Sequence, residues 1–181
     1  LDTQQRMREA LRRLEQLDCP VLMAINGVAI GGGCEVMLAG DRRLMAAETT
    51  LTFRQATLGL SCGWGGLTRL ERLVGRAKAF QILLLEGPMH GTRALELGLV
   101  DELVPRAQLM DRVREVAATL AALPPLALRA IKRGLMQCPE LPLEQALAFE
   151  AELFAHTWTS ADHWEALEAF FSKRPPTFQG R

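Results

Sequence analysis

Three consecutive glycines, Gly31 to Gly33, end a short apolar run and are followed two residues later by Glu35. Glycine loses more conformational entropy on folding than any other residue, so a triplet after a buried strand is expected only where the backbone turns sharply or approaches something closely. The preceding "VLMAIN" predicts a short buried strand, and the following "CEVMLAGD" predicts a helix packed inside the protein. The sequence therefore predicts a strand, a tight turn and a helix that carries a carboxylate in its first turn.

Such a turn has two interpretations. The first N–H groups of a helix have no partner within the helix, and they can bind an oxygen that carries negative charge. On this interpretation the turn is an oxyanion hole with Glu35 beside it. On the other, the glycines form a tight packing corner and Glu35 is a favourable charge at a helix N-terminus. Local sequence does not choose between the two.

The amino-acid composition limits the kinds of molecule that this chain is expected to bind. The chain has 181 residues, 49% of them hydrophobic, which is enough to bury a sizeable core. Its 21 basic residues balance 21 acidic ones, so no overall field draws it to nucleic acid or to a membrane surface. The four cysteines lie far apart, which argues against a zinc site and a disulfide framework. With no apolar run of membrane-spanning length and no apolar signal core, we expect a cytoplasmic protein without a membrane partner.

Several common site motifs do not match. The glycine run does not complete GxGxxG, because Val36 stands three positions after Gly33. The chain contains no GxxxxGK[ST], and His156 and His163 are seven residues apart rather than the three or four of a helical metal pair. Dinucleotide binding, phosphate-loop chemistry and a metal centre are therefore disfavoured.

The order of predicted elements is α/β at first and helical later. "LDTQQRMREALRRLEQL" has the apolar spacing of an amphipathic helix, and strand and helix signals alternate up to Gly75. From Arg76 onward helical patterns dominate, and the C-terminal half is predicted to be entirely helical. The clearest break is at Pro124 and Pro125, so we predict one region over residues 1–123 and a second over 124–181.

Long stretches of the chain resemble the enoyl-CoA hydratase/isomerase superfamily, also called the crotonase family. They are "CPVLMAINGVAIGGGCEVMLAGDRRLMA", "GLSCGWGGLTRLERLVGRAKAFQILLLEG", "TRALELGLVDELVP", "PPLALRAIKRGL" and "FFSKRPPTFQGR". The resemblance implies a crotonase-like spiral ββα core, of which residues 1–123 form the C-terminal portion. It implies that the N-terminal part of that core is missing from this chain. It also implies that residues 124–181 form an all-helical region for oligomerisation and contact with coenzyme A.

The same resemblance implies acyl-CoA thioester chemistry, in which two backbone N–H groups hold the thioester oxygen while an enolate develops. Gly32 matches the position of one donor, and the second belongs to a segment upstream of this sequence. Preorganised donors of this kind are worth about 3 kcal/mol each, because charge develops where they already point.

The two acid–base positions implied by the resemblance are occupied by Glu35 and Gln55. Hydratases of the family carry glutamate at both, whereas a glutamine orients water but neither donates nor accepts a proton at neutral pH. The leading interpretation is an enoyl-CoA hydratase or isomerase. The alternatives are a decarboxylase of the same superfamily, for which Arg54 could hold a substrate carboxylate, and a non-catalytic acyl-CoA-binding subunit. An arginine in such a segment is otherwise a solvated surface residue.

For coenzyme A, the resemblance implies contacts from Phe154 and Lys173, which local sequence alone would treat as a core aromatic and a solvated cation. It implies no cofactor beyond coenzyme A as part of the substrate, no metal, and a homotrimer or hexamer. Several aromatic residues in the C-terminal region suit such an interface: Trp158, Trp164, Phe170 and Phe171.

Overall fold

The computed structural model describes residues 2–181. The chain forms two compact units. The first comprises the residues up to Leu17 together with Val21–Glu115, and the second comprises Asp18–Pro20 and Val116–Arg181. None of the helices within residues 2–181 is both long and apolar enough to cross a membrane. The functional roles predicted for residues 1–123 and 124–181 stay predictions.

The elements alternate between helix and strand in the first unit and are helical in the second. The helices are α1 (Asp2–Glu15), α2 (Gly32–Met37), α3 (Gly66–Val74), α4 (Arg76–Leu84), α5 (Gly91–Leu97), α6 (Leu109–Ala121), α7 (Pro125–Gln137), α8 (Leu143–Trp158) and α9 (Ala161–Ser172). The strands are β1 (Leu22–Ile25), β2 (Ala29–Ile30), β3 (Arg42–Ala46), β4 (Thr50–Thr52), β5 (Met89–His90) and β6 (Glu102–Val104). Short 3₁₀ turns cover Ala56–Leu58, Arg106–Gln108 and Cys138–Glu140.

Two small sheets organise the first unit. In one, β3 lies between β1 and β6, and both pairings are parallel, with Met45 opposite Ile25 on one side and Leu103 on the other. In the other, β4 lies between β2, which is parallel to it, and β5, which is antiparallel. The central strand β3 is buried from Arg43 to Ala46, as expected for a parallel strand covered on both faces.

Apolar residues from both sheets and from the helices α2 to α5 form one core. Leucine is its commonest residue, and Cys34 and Met37 bring the short helix α2 into it. The core comprises Ile25, Cys34, Met37, Leu38, Met45, Leu51, Phe53, Leu70, Ala79, Ile82, Met89, Ala94, Leu97, Leu99 and Val100.

The prediction of an entirely helical C-terminal half is wrong at β6. Residues Glu102–Val104 form a strand that pairs with β3, a partner nearly sixty residues earlier. A strand of three residues is too short for its apolar pattern to be told from that of a helix. Pro105 favours extended backbone at the residue before it, which suits Val104 as the end of a strand.

In the second unit, the tail after α9 folds back onto that helix. The buried Asp162 accepts hydrogen bonds from the N–H groups of Gln179 (2.7 Å) and Gly180 (2.8 Å). Glu165 accepts from the Arg174 guanidinium (2.6 and 2.8 Å) and from the Thr177 N–H (2.8 Å). Two carboxylates near the start of one helix therefore hold the tail through three backbone N–H groups and one guanidinium group.

Candidate active site

The glycine run forms a tight turn between β2 and α2. Gly31 has a φ of 52°, a region that residues with side chains rarely adopt, and its N–H donates to the Thr52 carbonyl at 2.8 Å. Its carbonyl accepts from the N–H groups of Cys34 (3.0 Å) and Glu35 (3.2 Å), which closes the first turn of the helix. The predicted turn into a helix that contains Glu35 is confirmed, although the helix begins at Gly32 and ends at Met37, earlier than "CEVMLAGD" predicted.

Gly32 is the first residue of α2, so its N–H lacks an intrahelical acceptor. Within residues 2–181, no hydrogen bond joins this N–H to another group. The position thus retains a free backbone donor at the end of the turn, as the sequence predicted. Its use as an oxyanion donor stays a prediction.

The carboxylate of Glu35 is buried, with the residue only 3% exposed, and it accepts four hydrogen bonds. Its Oε1 accepts from Gln55 Nε2 (3.1 Å) and from the Gly63 N–H (3.3 Å). Its Oε2 accepts from the N–H groups of Trp64 and Gly66, both at 2.8 Å. Four donors are as many as an ionised carboxylate accommodates, so the buried charge is fully solvated by the protein.

The two oxygens of Glu35 are not equivalent. Oε2 has short bonds from two backbone groups of one loop, which anchor the segment that leads into α3. The bonds to Oε1 are longer, and one of them comes from the Gln55 side chain, which can rotate away. Oε1 is therefore the oxygen that can exchange a protein donor for a ligand.

Gln55 lies next to this exchangeable oxygen, at the start of the 3₁₀ turn Ala56–Leu58. Its amide orientation is set by Glu35, because a carboxylate accepts from an N–H₂ group and repels an oxygen. The amide oxygen of Gln55 is buried and, within the described chain, has no hydrogen-bond donor. An unpaired buried acceptor is costly, so this atom marks a place where a ligand or water with an O–H or N–H would be stabilised.

Glycines on the α3 side bring the loop backbone close to Glu35. A β-carbon at Gly66 would lie 2.5 Å from Cγ and 2.7 Å from Oε2 of Glu35, so no larger residue fits there. Gly65 has a φ of 91°. A β-carbon at Gly32 would collide with the indole ring of Trp64, which places this ring directly against Gly32.

The backbone of Trp64 is held at both ends. Its N–H donates to Glu35, and its carbonyl accepts from Nη1 of Arg69 at 2.7 Å. Arg69 forms a bidentate ion pair with Glu15, at 2.5 Å from Nε and 2.6 Å from Nη2. Hydrogen bonds to Glu15 raise the pKa of Arg69, so the guanidinium group that holds the Trp64 carbonyl stays charged.

Two thiols border the site. Burial raises the pKa of the Cys34 thiol to about 11. For Cys62, burial and, secondarily, the negative charge of Glu35 raise the pKa to about 11. Both remain protonated at neutral pH and are weak nucleophiles there, so neither competes with Glu35 as a proton acceptor.

The structure brings three of the five predicted site residues together, namely Gly32, Glu35 and Gln55, in the first unit. Arg54, next to Gln55, is exposed. Phe154 and Lys173 belong to the second unit. Their contact with coenzyme A stays a prediction.

Phe154 is 60% exposed on α8, so the interpretation as a core aromatic is wrong. Its ring lies 5.3 Å from that of Trp158, and it borders a groove of about 450 Å³ lined by residues of α7 and α8. Lys173 ends α9 with a φ of 53°, a left-handed conformation, and its side chain is exposed. Both side chains are accessible within their own unit.

Sequence reasoning missed the backbone donors at Gly63, Trp64 and Gly66, and the support from Arg69. The signal was present in "GWGGLTR", where glycines surround a single bulky residue. Such a pattern indicates backbone that approaches another group closely. The group it approaches, Glu35, lies about thirty positions earlier, which no local pattern reveals.

Comparison with known proteins agrees with this geometry. The sequence profile of the enoyl-CoA hydratase/isomerase family matches residues 2–181. This chain therefore belongs to the enoyl-CoA hydratase/isomerase family, within the crotonase superfamily, and its α/β core with a helical C-terminal region is the crotonase-like fold.

Individual relatives show the same relationship. A short-chain-enoyl-CoA hydratase of Clostridium acetobutylicum is 34% identical over 166 residues, covering 92% of this chain and 64% of the relative. An ethylmalonyl-CoA decarboxylase of Bos taurus is 32% identical, covering 89% of this chain and 54% of the relative. The crystal structure of an enoyl-CoA hydratase from Bacillus anthracis superimposes with a TM-score of 0.95 at 33% identity, covering 98% of this chain and 69% of that one. The chain thus spans slightly less than two thirds of the length of the curated hydratase.

Proposed function

We propose that this chain supplies the enolate-stabilising site of an enzyme that acts on acyl-CoA thioesters, as an enoyl-CoA hydratase or isomerase. The observation that carries the proposal is the free Gly32 N–H at the start of α2, one turn from the buried Glu35 carboxylate. A backbone donor in that position stabilises negative charge on a thioester oxygen without reorganising. The substrates named for the relatives are thioesters of coenzyme A, which supports the same class here.

In the proposed reaction Glu35 moves the proton. Gln55 Nε2 leaves Glu35 Oε1, and this oxygen takes the proton from the α-carbon of the thioester. The electron pair of the C–H bond passes to the thioester oxygen, which the Gly32 N–H holds. Return of the proton to the γ-carbon moves the double bond and completes an isomerisation, which needs only one carboxylate.

Hydration requires more acid–base groups in the same site than isomerisation does. The oxygen of water must add to the β-carbon while one of its protons is taken up and a proton is delivered to the α-carbon, which is work for two titratable groups. Gln55 can accept a hydrogen bond from the water through its unpaired amide oxygen, but it cannot take the proton. We therefore propose that isomerisation proceeds well and hydration slowly.

Decarboxylation is the second candidate, because Glu35 is already saturated by four donors and its neighbour is neutral. In this reaction the bond between the α-carbon and a carboxylate breaks, carbon dioxide leaves, and the electron pair forms the same enolate. A proton from water then completes the product. The step needs the oxyanion donor but no base, and one of the relatives is named as a decarboxylase.

We further propose that Phe154 and Lys173 contact coenzyme A and that the complete protein is a homotrimer or hexamer. The exposure of both side chains supports the first point, and the exposed Trp158, Trp164, Phe170 and Phe171 support the second. The thiols of all four cysteines are free, which supports a reducing compartment, the cytoplasm. Sedimentation at micromolar concentration tests the assembly, and a monomer there would contradict it.

A panel of thioesters tests the reaction. The complete protein should be assayed with 2-enoyl-, 3-enoyl- and malonyl-type CoA esters, alongside its Glu35→Gln variant. Isomerisation of the 3-enoyl ester that is lost in the variant supports the leading proposal, and release of carbon dioxide that survives the substitution supports the second. Unchanged acyl-CoA binding without turnover of any ester would identify a binding subunit instead.

A further inference from the structure

The loop that wraps Glu35 carries one bulky side chain, that of Trp64. Residues 63, 65 and 66 are glycines, and the N–H groups of residues 63, 64 and 66 all donate to the carboxylate. The backbone of this segment is thus used to bind Glu35. Its only large side chain points elsewhere, onto Gly32.

Core packing does not account for the position of this indole. Trp64 is only partly buried, and it does not belong to the apolar core of the first unit. The ring edge, at Cζ3 and Cη2, occupies the place that a β-carbon of Gly32 would take. It therefore occupies space next to the free N–H of Gly32.

The backbone that carries the ring is held in place. Glu35 fixes the N–H of Trp64, and Arg69 fixes its carbonyl while paired with Glu15. A fixed backbone limits how far the indole can move away when a ligand of different shape arrives. An indole ring in this position discriminates between acyl groups by their size.

We propose that Trp64 is a specificity-determining residue that restricts the substrate to thioesters with an unbranched carbon next to the carbonyl group. This inference rests on the proposed function, since it assumes that the thioester oxygen is bound at Gly32. The carbon atoms bonded to that carbonyl then lie beside the indole ring. A methyl branch on the α-carbon meets the ring, whereas a linear acyl group passes it.

Binding of two unreactive thioesters tests the proposal on the complete protein. We would measure by calorimetry the Kd of butyryl-CoA and of 2-methylbutyryl-CoA for the wild type, Trp64→Ala and Trp64→Phe, with Phe80→Ala, at an exposed aromatic residue of the same unit, as the control for loss of a ring elsewhere. One methyl group in an apolar pocket changes binding by about tenfold or more. We expect the wild type to prefer butyryl-CoA by at least about tenfold, Trp64→Ala to lose that preference, and Trp64→Phe to retain part of it.

The outcomes distinguish a failure of the role of Trp64 from a failure of the proposed function. Equal preference in the wild type and in Trp64→Ala, with both thioesters bound, would overturn the role of Trp64 and leave the proposed function standing. Failure of the folded wild type to bind either thioester would overturn the proposed function, and this role of Trp64 with it. If Trp64→Ala does not fold by circular dichroism, the comparison of the wild type with Trp64→Phe decides, and an unchanged ratio there contradicts the proposal.

Discussion

Gln55 Nε2 donates a hydrogen bond of 3.1 Å to Oε1 of Glu35, so the neutral residue stabilises the charged one at the centre of the site. The family resemblance implies a carboxylate at both of these positions in hydratases. Here the second position contributes a donor and an unpaired acceptor oxygen, but no titratable proton. The first prediction therefore concerns Gln55.

Replacing Gln55 by glutamate should raise hydration of a short 2-enoyl-CoA at least about tenfold, because a second acid–base group contributes roughly 10²–10⁴-fold where it is correctly placed. The gain falls below the full range because the new carboxylate would lie next to Glu35, and like charges disfavour joint ionisation. Initial rates of hydration for the two proteins check this.

A matched control is Gln55→Met, which keeps the length of the side chain and has no polar group. It should not raise the rate. A wild-type hydration rate equal to that of folded, CoA-binding Gln55→Glu would show that another residue moves the second proton.

Gly32 and Gly33 form a matched pair for the close approach of Trp64. Gly32→Ala places a β-carbon in the indole ring and should destabilise the protein by about 1–3 kcal/mol, as overpacking does. Gly33→Ala meets only the β-carbon of Ala29 at 3.5 Å, an ordinary contact, so its stability should be unchanged or higher. Urea unfolding of both variants measures the difference.

The same pair can be tested in the absence of the ring. In a Trp64→Ala background the collision disappears, so the cost of Gly32→Ala should fall to near that of Gly33→Ala. Equal costs of Gly32→Ala with and without the indole would mean that the ring does not lie against Gly32.

Local sequence predicts the turn and the helix well because their causes are local. Gly31 supplies a positive φ, and Glu35 lies in the first turn that follows. It does not predict the four donors to Glu35, because three of them come from a loop about thirty residues later, and their approach depends on a missing β-carbon at Gly66. Strand β6 was missed for a related reason, since three residues carry too little pattern and its partner β3 is distant.

The ion pair between Arg69 and Glu15 stabilises the loop that contains Trp64, because Arg69 also donates a hydrogen bond to the Trp64 carbonyl. Arg69→Lys keeps the charge but loses the planar fork that binds Glu15 twice and also reaches the Trp64 carbonyl. We expect a loss of about 1–3 kcal/mol in stability, typical of charged hydrogen bonds at a partly buried site. Urea unfolding measures it.

Arg12→Lys, at an exposed ion pair with Glu9 in the same unit, serves as the control and should cost less than about 0.5 kcal/mol. Arg69→Lys with the same small cost would show that the fork does not hold the loop.

Attachment of the C-terminal tail should depend on pH. Hydrogen bonds from Arg174 and then from the Thr177 N–H lower the pKa of Glu165 from about 4.5 to about 2. A carboxyl group whose pKa is lowered in the folded state stabilises that state at pH values above the ordinary pKa of the group. This stabilisation is lost as the pH falls from about 4.5 toward 2. Glu168 also faces Arg174, at 3.5 Å.

Hydrogen exchange of the Thr177 amide, read by NMR and corrected for the intrinsic pH dependence of exchange, follows this change. Protection should be constant above about pH 5 and fall below it. In Glu165→Gln the bidentate pair with Arg174 is absent, so protection should already be low at pH 7. The same pH profile in both proteins would contradict a role for Glu165 in holding the tail.

Exchange of deuterium into a thioester tests the central claim most directly, because it reports enolate formation by one carboxylate without requiring addition of water. The complete protein should be incubated with but-3-enoyl-CoA in deuterium oxide, and deuterium at the α-carbon followed by NMR. We predict exchange at least about 10²-fold faster than in Glu35→Gln, and preserved in Gln55→Met. Exchange at the same rate in the wild type and in a folded Glu35→Gln that still binds the thioester would contradict the account.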